Sequence, residues 1–214
     1  MVFVLLIFLY CSKLSSIIIP KSVTTIGNSA FYGCSGLEKT YYLGKEDDWK
    51  NVTVGINNSN LTDCLVFVSV LMFADDSGYS IVEYNGHKYT SPVGDGTTVG
   101  ELLDLLIADN IAVYSNSGKE LGRDDKLGTG ATIVLTDDNG DIIDEVVVVI
   151  RGDVDGDGEV TSADALRALN NSSGLMLFDD CYVLAADIDG NGHLSSADVM
   201  NILKYSAGLM DFLA

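Results

Sequence analysis

The feature that most restricts this 214-residue chain is an aspartate-rich phrase that occurs twice. Residues 152–166 read GDVDGDGEVTSADAL, and residues 186–200 read ADIDGNGHLSSADVM, 34 positions later. Carboxylates about 5 Å apart repel one another by roughly 1 kcal/mol per pair even in water. The spacing therefore indicates either two pairs of solvated aspartate turns or two loops that close around a bound cation.

The order of residues within each phrase favours a calcium loop. Such a loop has oxygen ligands at positions 1, 3, 5, 7, 9 and 12, and a glycine at position 6, where the chain turns sharply. Glu159 and His193 stand at position 7 and would bind through their carbonyls, and position 12 is aspartate in both copies. The sequence thus predicts two Ca²⁺ sites, with ligands Asp153, Asp155, Asp157, Glu159, Thr161 and Asp164 in the first loop and Asp187, Asp189, Asn191, His193, Ser195 and Asp198 in the second.

Each loop leads into a run with the apolar spacing of a helix, and each run ends at a glycine, Gly174 or Gly208. The unit is therefore a duplicated loop–helix that lacks the entering helix of a full EF-hand. Over about residues 151–210 this pattern resembles the type I dockerin family. The resemblance implies an all-α domain with two F-hand calcium loops. It also implies docking onto a cohesin domain of a scaffold protein, in cellulosome-like assemblies that degrade polysaccharides, without catalysis by the dockerin itself.

The same resemblance implies which residues contact the cohesin. In the family these lie at loop positions 10 and 11 and on the helix that follows. The serine and alanine at those positions are identical in the two copies, so either copy could meet one cohesin surface after a rotation of about 180°. The alternative is that these small residues serve only to start a helix. The aromatic ring of Tyr205 predicts a preference for the second copy. The predicted contacts are Ser162, Ala163, Asn170, Ser196, Ala197, Lys204 and Tyr205.

A second repeat lies near the start of the chain, where Cys11-Ser12-Lys13-Leu14 is followed 23 residues later by Cys34-Ser35-Gly36-Leu37. A period of about 20–29 residues with regular Leu, Ile and Phe is typical of a leucine-rich solenoid. Residues 17–37, IIIPKSVTTIGNSAFYGCSGL, resemble the BspA-like leucine-rich repeats of bacterial surface proteins. The resemblance predicts that eight side chains face inward: Ile17, Ile19, Val23, Ile26, Ala30, Phe31, Cys34 and Leu37.

Roughly one and a half repeats cannot bury a solenoid core, because about three are usually needed. We therefore interpret the region as a solenoid fragment, with residues 1–10 as part of an incomplete repeat. Residues 40–61 resemble the stretch that closes such arrays, with Trp49 as a capping plug or, alternatively, a platform for sugar. The cysteines of the repeat, Cys11 and Cys34, are expected to be small buried hydrophobes, with a Cys11–Cys34 disulfide as the alternative.

The apolar start of the chain gives no convincing signal peptide. It lacks a basic segment, and Tyr10 stands where a small residue should precede Cys11. Its ten-residue apolar run is also too short to span a bilayer, which needs about 20 residues.

Residues 74–151 predict a small α+β, β-grasp-like module with a spacer role. Asn85-Gly86 is a hairpin turn signal between strands at 80–84 and 87–89. A capping box at Thr98 and Glu101 starts a helix expected to reach Leu106. Strands are predicted at 111–114, 132–136 and 142–150, the last after a turn at 137–140.

The chain has a net charge of −19 and no basic cluster, so nucleic acid and anionic membranes are excluded as partners. Outside the calcium loops we find neither a convincing carboxylate pair for glycoside hydrolysis nor a nucleophile with a base in reach. The sequence predicts a multi-domain, non-enzymatic, extracellular protein. Its domains would be a leucine-rich-repeat fragment (1–73), an α+β spacer (74–151) and a dockerin (152–214). The repeats would bind host or polysaccharide ligands. The alternatives are the non-catalytic tail of a larger glycoside hydrolase and a calcium-stabilised adhesin without a cohesin partner.

Overall fold

The computed structural model describes residues 2–4, 8–74, 77–137 and 139–211. The chain divides into two compact units. The first contains the residues up to 72 together with 107–109, and the second contains 73–106 and the residues from 110 onward. The α+β region and the aspartate-rich region thus fall in one unit, and the three-domain division stays a prediction.

The first unit consists of two parallel three-stranded sheets, with strand orders β1-β3-β5 and β2-β4-β6. Ser16 pairs with Lys39, and Thr40 pairs with Leu65, so neighbouring strands of one sheet are 23 and 25 residues apart along the chain. The strand spacing thus follows the period of the sequence repeat. The elements are β1 (Val2–Val4), β2 (Ser16–Pro20), β3 (Val23–Ile26), β4 (Lys39–Leu43), α1 (Glu46–Trp49), β5 (Thr53–Val54), α2 (Ser59–Thr62) and β6 (Leu65–Phe67).

The core of the first unit contains the side chains that the repeat predicts. Of the eight, six are buried, and Ile17 and Leu37 pack against them partly buried. Cys34 is fully buried, but Cys11 is exposed and both thiols are free, so the expectation of burial is wrong for Cys11. Cys11 lies in a surface turn, where its backbone N–H bonds the Phe8 carbonyl at 3.2 Å.

Residues 40–61, which were predicted to close the repeat array, add one strand to each sheet. These strands are β5 and, apart from its first residue Lys39, β4. Trp49 packs against the core, with its ring 4.9 Å from that of Tyr42 at an angle of 67°. The predicted incomplete repeat at the start is described in part: β1 pairs in parallel with β3, and residues 1 and 5–7 lie outside the described residues.

A buried asparagine that the sequence analysis did not single out crosslinks the first unit. Asn58 is 4% exposed. Its side-chain Oδ1 accepts from the Phe31 N–H at 3.0 Å, and its Nδ2 donates to the carbonyls of Gly27 and Gly55, both at 2.8 Å. One side chain thus satisfies three main-chain groups on two successive turns of the repeat.

The second unit begins with what we call the β-module, residues 77–106 and 110–150. Its five-stranded sheet has the order β7-β8-β11-β10-β9, in which β8 and β11 are parallel and the other pairs are antiparallel. The predicted hairpin is confirmed, with Asn85 and Gly86 at φ 49° and 81°. The elements are β7 (Ile81–Tyr84), β8 (His87–Thr90), α3 (Val99–Leu103), β9 (Ile111–Tyr114), β10 (Thr132–Thr136) and β11 (Ile142–Val147).

Two boundaries in the β-module differ from the prediction. The helix α3 has the predicted capping box but ends at Leu103, and Leu106 instead bridges Phe73 in an antiparallel pair. Strand β11 ends at Val147, after which the chain leaves β10 and Ile150 pairs with Val93. Of the turn predicted at 137–140, residue 138 lies outside the described residues.

Three helices complete the second unit: α4 (Ser162–Ser172), α5 (Asp180–Ala186) and α6 (Ser196–Ser206). The helices α4 and α6 follow the two aspartate-rich loops, as predicted, and pack against each other. Gly174 and Gly208, at φ 73° and 68°, lie just beyond their ends. The middle helix α5 was not predicted. A single hydrophobic cluster joins the three helices to the β-module residues Tyr89 and Val149.

Candidate metal centres

Each aspartate-rich loop brings three carboxylates to one point. Asp153, Asp155 and Asp164 offer oxygens that lie within 4.8 Å of one another. Asp187, Asp189 and Asp198 form the equivalent group in the second loop. The two groups contain positions 1, 3 and 12 of the predicted ligand sets. The position-5 residues, Asp157 and Asn191, are exposed, and the Asp157 carboxylate is not a member of the first group.

Main-chain amides hold the carboxylate of position 1 inside each loop. In the first loop, Asp153 accepts from the Gly156 N–H at 2.7 Å and the Gly158 N–H at 3.1 Å. In the second, Asp187 accepts from the Gly192 N–H at 2.7 Å and the Asn191 N–H at 3.1 Å. Each loop therefore wraps around its first aspartate.

The carboxylate of position 12 joins each loop to its helix. Asp164 accepts from the Thr161 N–H at 2.8 Å with one oxygen and from the Val154 N–H at 2.9 Å with the other. Asp198 repeats this arrangement with Ser195 at 2.9 Å and Ile188 at 3.1 Å. These contacts form capping boxes at the starts of α4 and α6. An aspartate at position 12 thus both starts a helix and faces the centre of the loop.

The hydroxyls at position 9 take part in the same capping boxes. The Thr161 hydroxyl accepts from the Ala163 N–H, and the Ser195 hydroxyl accepts from the Ala197 N–H, both at 3.1 Å. At position 7 the side chains of Glu159 and His193 are exposed, and the Glu159 carboxylate binds the Lys126 ammonium at 2.6 Å. This leaves the carbonyl as the group that Glu159 can offer to the loop.

Burial and hydrogen bonding shift the acidity of these groups. Asp153 is fully buried, and burial raises its pKa from 3.8 to about 6 against the opposing amide bonds from Thr129, Gly156 and Gly158. Burial also raises the pKa of Asp155, and the nearby charge of Asp164 adds to that increase. Burial would raise the pKa of Asp198, but hydrogen bonds from its neighbours outweigh it and lower that pKa. A cation in the first loop would therefore displace a proton that burial favours.

The donor set fits a hard cation. Carboxylate, carbonyl and hydroxyl oxygens suit Ca²⁺, Mg²⁺ or Mn²⁺, whereas soft metals select sulfur. The nearest thiol in sequence, Cys181, lies in the hydrophobic cluster, where burial raises its pKa to about 11. The loops are thus built for oxygen ligation.

The residues predicted to contact cohesin lie on the two helices that leave the loops. Ser162, Ala163, Ser196, Ala197 and Lys204 are exposed, and Asn170 is half-buried. Tyr205 is also half-buried, and its hydroxyl donates to Asp95 of the β-module.

The sequence analysis missed an apolar surface beside these residues. Leu166 and Leu169 on α4 are 59% and 44% exposed. Met200 and Leu203, their equivalents 34 positions later on α6, are 50% and 43% exposed. The sequence repeat contained this signal. Apolar residues recur at equivalent positions of the two helices, on the side opposite to the buried face.

Two family models match the chain. Residues 6–47 match one described as a BspA type leucine rich repeat region (6 copies), and residues 151–205 match the dockerin type I domain. The comparisons thus find a type I dockerin at residues 151–205. Both resemblances stated from the sequence are thereby confirmed.

One solved structure is similar to the dockerin part. It is the high-resolution complex of the third ScaC cohesin with the ScaB dockerin from Acetivibrio cellulolyticus, which displays a type I interaction. The match has 36% identity and a TM-score of 0.28, and covers 29% of this chain and 88% of that chain. No curated protein matches the chain. None of the helices in the described ranges has the length and apolar character needed to cross a membrane.

Proposed function

We propose that this chain is a non-catalytic, calcium-dependent dockerin protein that attaches a leucine-rich-repeat region to a cohesin-bearing scaffold outside the cell. The observation that carries the proposal is the pair of carboxylate groups, each built on the loop and capping box of a matched dockerin domain. The context would be polysaccharide breakdown, as in the assemblies of the dockerin family.

Calcium would be held by the predicted ligands at positions 1, 3, 5 and 12, by the carbonyls of Glu159 and His193, and by Thr161 and Ser195 directly or through water. The bound ion would neutralise the repelling carboxylates and tie each loop to its helix. Asp164 and Asp198 already face both the loop and the helix start, so they would transmit the presence of calcium to α4 and α6. Ordering of these helices would then depend on the ion.

The cohesin would bind the exposed faces of α4 and α6. Each face combines the serine and alanine at the helix start with two exposed apolar residues, Leu166 and Leu169 or Met200 and Leu203. Apolar side chains that remain exposed in a folded domain mark surfaces for protein partners. Because the two faces share the same serine and alanine and have apolar residues at equivalent positions, we propose two orientations of one cohesin related by a rotation of about 180°.

The predicted preference of the cohesin for the second copy depends on Tyr205, which already makes a hydrogen bond within the chain. The Tyr205 hydroxyl is bonded to Asp95, so a cohesin that uses this ring must accept it in that position or break the bond. Tyr205→Phe keeps the ring and removes the bond. If the ring anchors the cohesin, this variant should bind at least as tightly as the parent chain.

The N-terminal region would form a solenoid fragment that recognises host or polysaccharide ligands. Its support is the pair of parallel sheets whose strands follow the sequence period. The β-module, with its mixed sheet and single short helix, would be a β-grasp-like spacer between this region and the dockerin.

The proposal is tested by calorimetric titration of the purified chain with type I cohesins, including the third ScaC cohesin, in the presence of Ca²⁺. Ala163→Asp and Ala197→Asp should each weaken binding modestly, and the double variant should abolish it. The control is Ile142→Asp, a charge placed at a 63% exposed residue of β11. Binding that persists after chelation would refute the calcium dependence, and a complete loss with either single variant would refute the two orientations.

A further inference from the structure

The two calcium loops are similar in sequence, but among the described residues only the first receives hydrogen bonds from the β-module. Residues 153, 154, 158 and 160 are buried, whereas their equivalents 187, 188, 192 and 194 are half-buried or exposed. We propose that the β-module is a positioning element for the first calcium loop, so that the first site binds calcium more tightly than the second. This inference rests on the proposed calcium binding by both loops.

Three polar contacts join the β-module to the first loop. The Thr129 N–H donates to the Asp153 carboxylate at 2.8 Å, on the same oxygen that accepts from the Gly158 N–H. The Gly96 N–H donates to the Gly158 carbonyl at 3.2 Å, and Lys126 binds Glu159. The module therefore holds positions 1, 6 and 7 of this loop. In the second loop, the Asp187 carboxylate accepts only from the Asn191 and Gly192 amides of that loop among the described residues.

The free space around the glycines of the two loops shows how closely the β-module approaches each loop. Gly156 and Gly190 occupy the same loop position and both have positive φ, 80° and 68°. A Cβ added to Gly156 would lie 2.6 Å from Asn116 Nδ2 and 2.7 Å from the Thr129 carbonyl oxygen. A Cβ added to Gly190 would meet nothing within 4 Å. The backbone of the first loop is thus in direct contact with the module, and that of the second loop faces open space.

The contact is equally tight from the side of the β-module. A Cβ added to Gly128 would lie 2.1 Å from the Gly156 carbonyl oxygen. Residues 127–129 therefore follow the backbone of the loop without space for a side chain at this point. The packing continues into the hydrophobic cluster, which contains Tyr89 and Val149 of the β-module together with Val154 and Val160 of this loop. Ile188 and Leu194, the equivalents in the second loop, pack against the same cluster but are only partly buried.

This arrangement makes the first site tighter because a calcium loop loses conformational freedom when it closes around the ion. Fixing the backbone of each residue is unfavourable, and the β-module has already fixed several residues of the first loop. The second loop loses that freedom only on binding. The Thr129 amide also holds the Asp153 carboxylate in the loop, through the oxygen that accepts from the Gly158 N–H.

Calorimetric titration of the whole chain with CaCl₂ tests this inference. We expect two uptake steps that differ in affinity by about tenfold, the equivalent of ~1.4 kcal/mol. Asp153→Ala should remove the tighter step, and Asp187→Ala should remove the weaker one. Gly128→Ala, which alters only the β-module, should weaken the tighter step about tenfold and leave the weaker step unchanged. Its control is Gly122→Ala, also in the module, where an added Cβ has no neighbour nearer than 3.9 Å.

Gly156→Ala and Gly190→Ala form a second matched pair, read by the same titration and by circular dichroism. Both place alanine at positive φ, but only the first collides with the β-module. We expect Gly156→Ala to lower the calcium affinity of the tighter step more than Gly190→Ala lowers that of the weaker step. Two steps of equal affinity, or equal effects within this pair, would overturn the inference while leaving the proposed function in place. No calcium uptake at all would overturn both.

Discussion

Thr129→Val removes one buried hydroxyl at the point where the β-module leads into the dockerin. The Thr129 side chain is fully buried, and its Oγ1 accepts from the Ile150 N–H at 3.0 Å and donates to the Ile150 carbonyl at 3.2 Å. Valine has nearly the same shape, so the packing is preserved. The carbonyl keeps a second donor, the Asp153 N–H at 3.2 Å. The Ile150 N–H alone is left without an acceptor.

The expected loss of stability follows from that single amide. A buried donor left unsatisfied costs about 1–3 kcal/mol, and the added methyl group returns at most ~0.8 kcal/mol through apolar burial. The free energy of unfolding of the second unit should therefore fall by about 1–2 kcal/mol. For a unit of this size such a change lowers Tm by roughly 2–6 °C.

Differential scanning calorimetry at saturating Ca²⁺ measures this change with both predicted calcium sites occupied. Thr136→Val is the matched control, because the Thr136 hydroxyl donates to the Asn110 carbonyl at 3.3 Å at an exposed site. Substitutions at such sites change stability by about 0.5 kcal/mol or less. Equal shifts in Tm for the two variants would show that the Thr129 hydroxyl does not hold this junction together.

Three further outcomes are expected. Chelating calcium should reduce the helical circular dichroism of the chain, because metal binding to such loops contributes folding free energy; unchanged helicity would contradict this. Asn58→Ala should lower the free energy of unfolding of the first unit by about 2–3 kcal/mol in urea denaturation, since the Phe31 N–H and the Gly55 carbonyl lose their partner and the Gly27 carbonyl keeps only the Ala30 N–H, whereas Asn51→Ala, at an exposed site, should have little effect. In the calcium-free chain, the raised pKa of Asp153 means that the folded state binds the extra proton between pH 3.8 and about 6. The unfolding free energy should therefore fall as pH rises through that window, by up to about 3 kcal/mol relative to Asp153→Asn, and parallel pH profiles of the two chains would refute this.

The parts of the structure that the sequence predicted depend on short-range chemistry. The capping boxes of α4 and α6 join residues three apart, such as Thr161 with Asp164, and the hairpin depends on the adjacent residues Asn85 and Gly86. These signals lie within one turn of chain. They were sufficient to give the hairpin and the starts of the two helices, whereas the loops were predicted from a twelve-residue pattern and the inward-facing residues from the resemblance to a known repeat.

The parts that the sequence did not predict depend on contacts between distant residues or on weak local signals. Thr129 meets Asp153 across 24 residues, and Tyr205 meets Asp95 across 110, and no periodicity encodes either pairing. The helix α5 was not predicted, although Asp179 is of a type that favours the N-cap position, because its seven residues are too few for a clear helical period. The position of Cys11 in a surface turn is likewise set by packing.

The unequal surroundings of Gly156 and Gly190 have a consequence for how the two halves of the dockerin can diverge. At Gly190 the backbone is left-handed but open, so asparagine or aspartate, which tolerate this conformation, can replace glycine with modest strain. At Gly156 any side chain must displace Asn116 or the main chain of Thr129. Substitutions are therefore expected to accumulate in the second loop while the first keeps its glycine. Sequence divergence between the duplicated halves would then reflect a neighbouring module that excludes side chains from one of them, rather than any difference in the metal they bind.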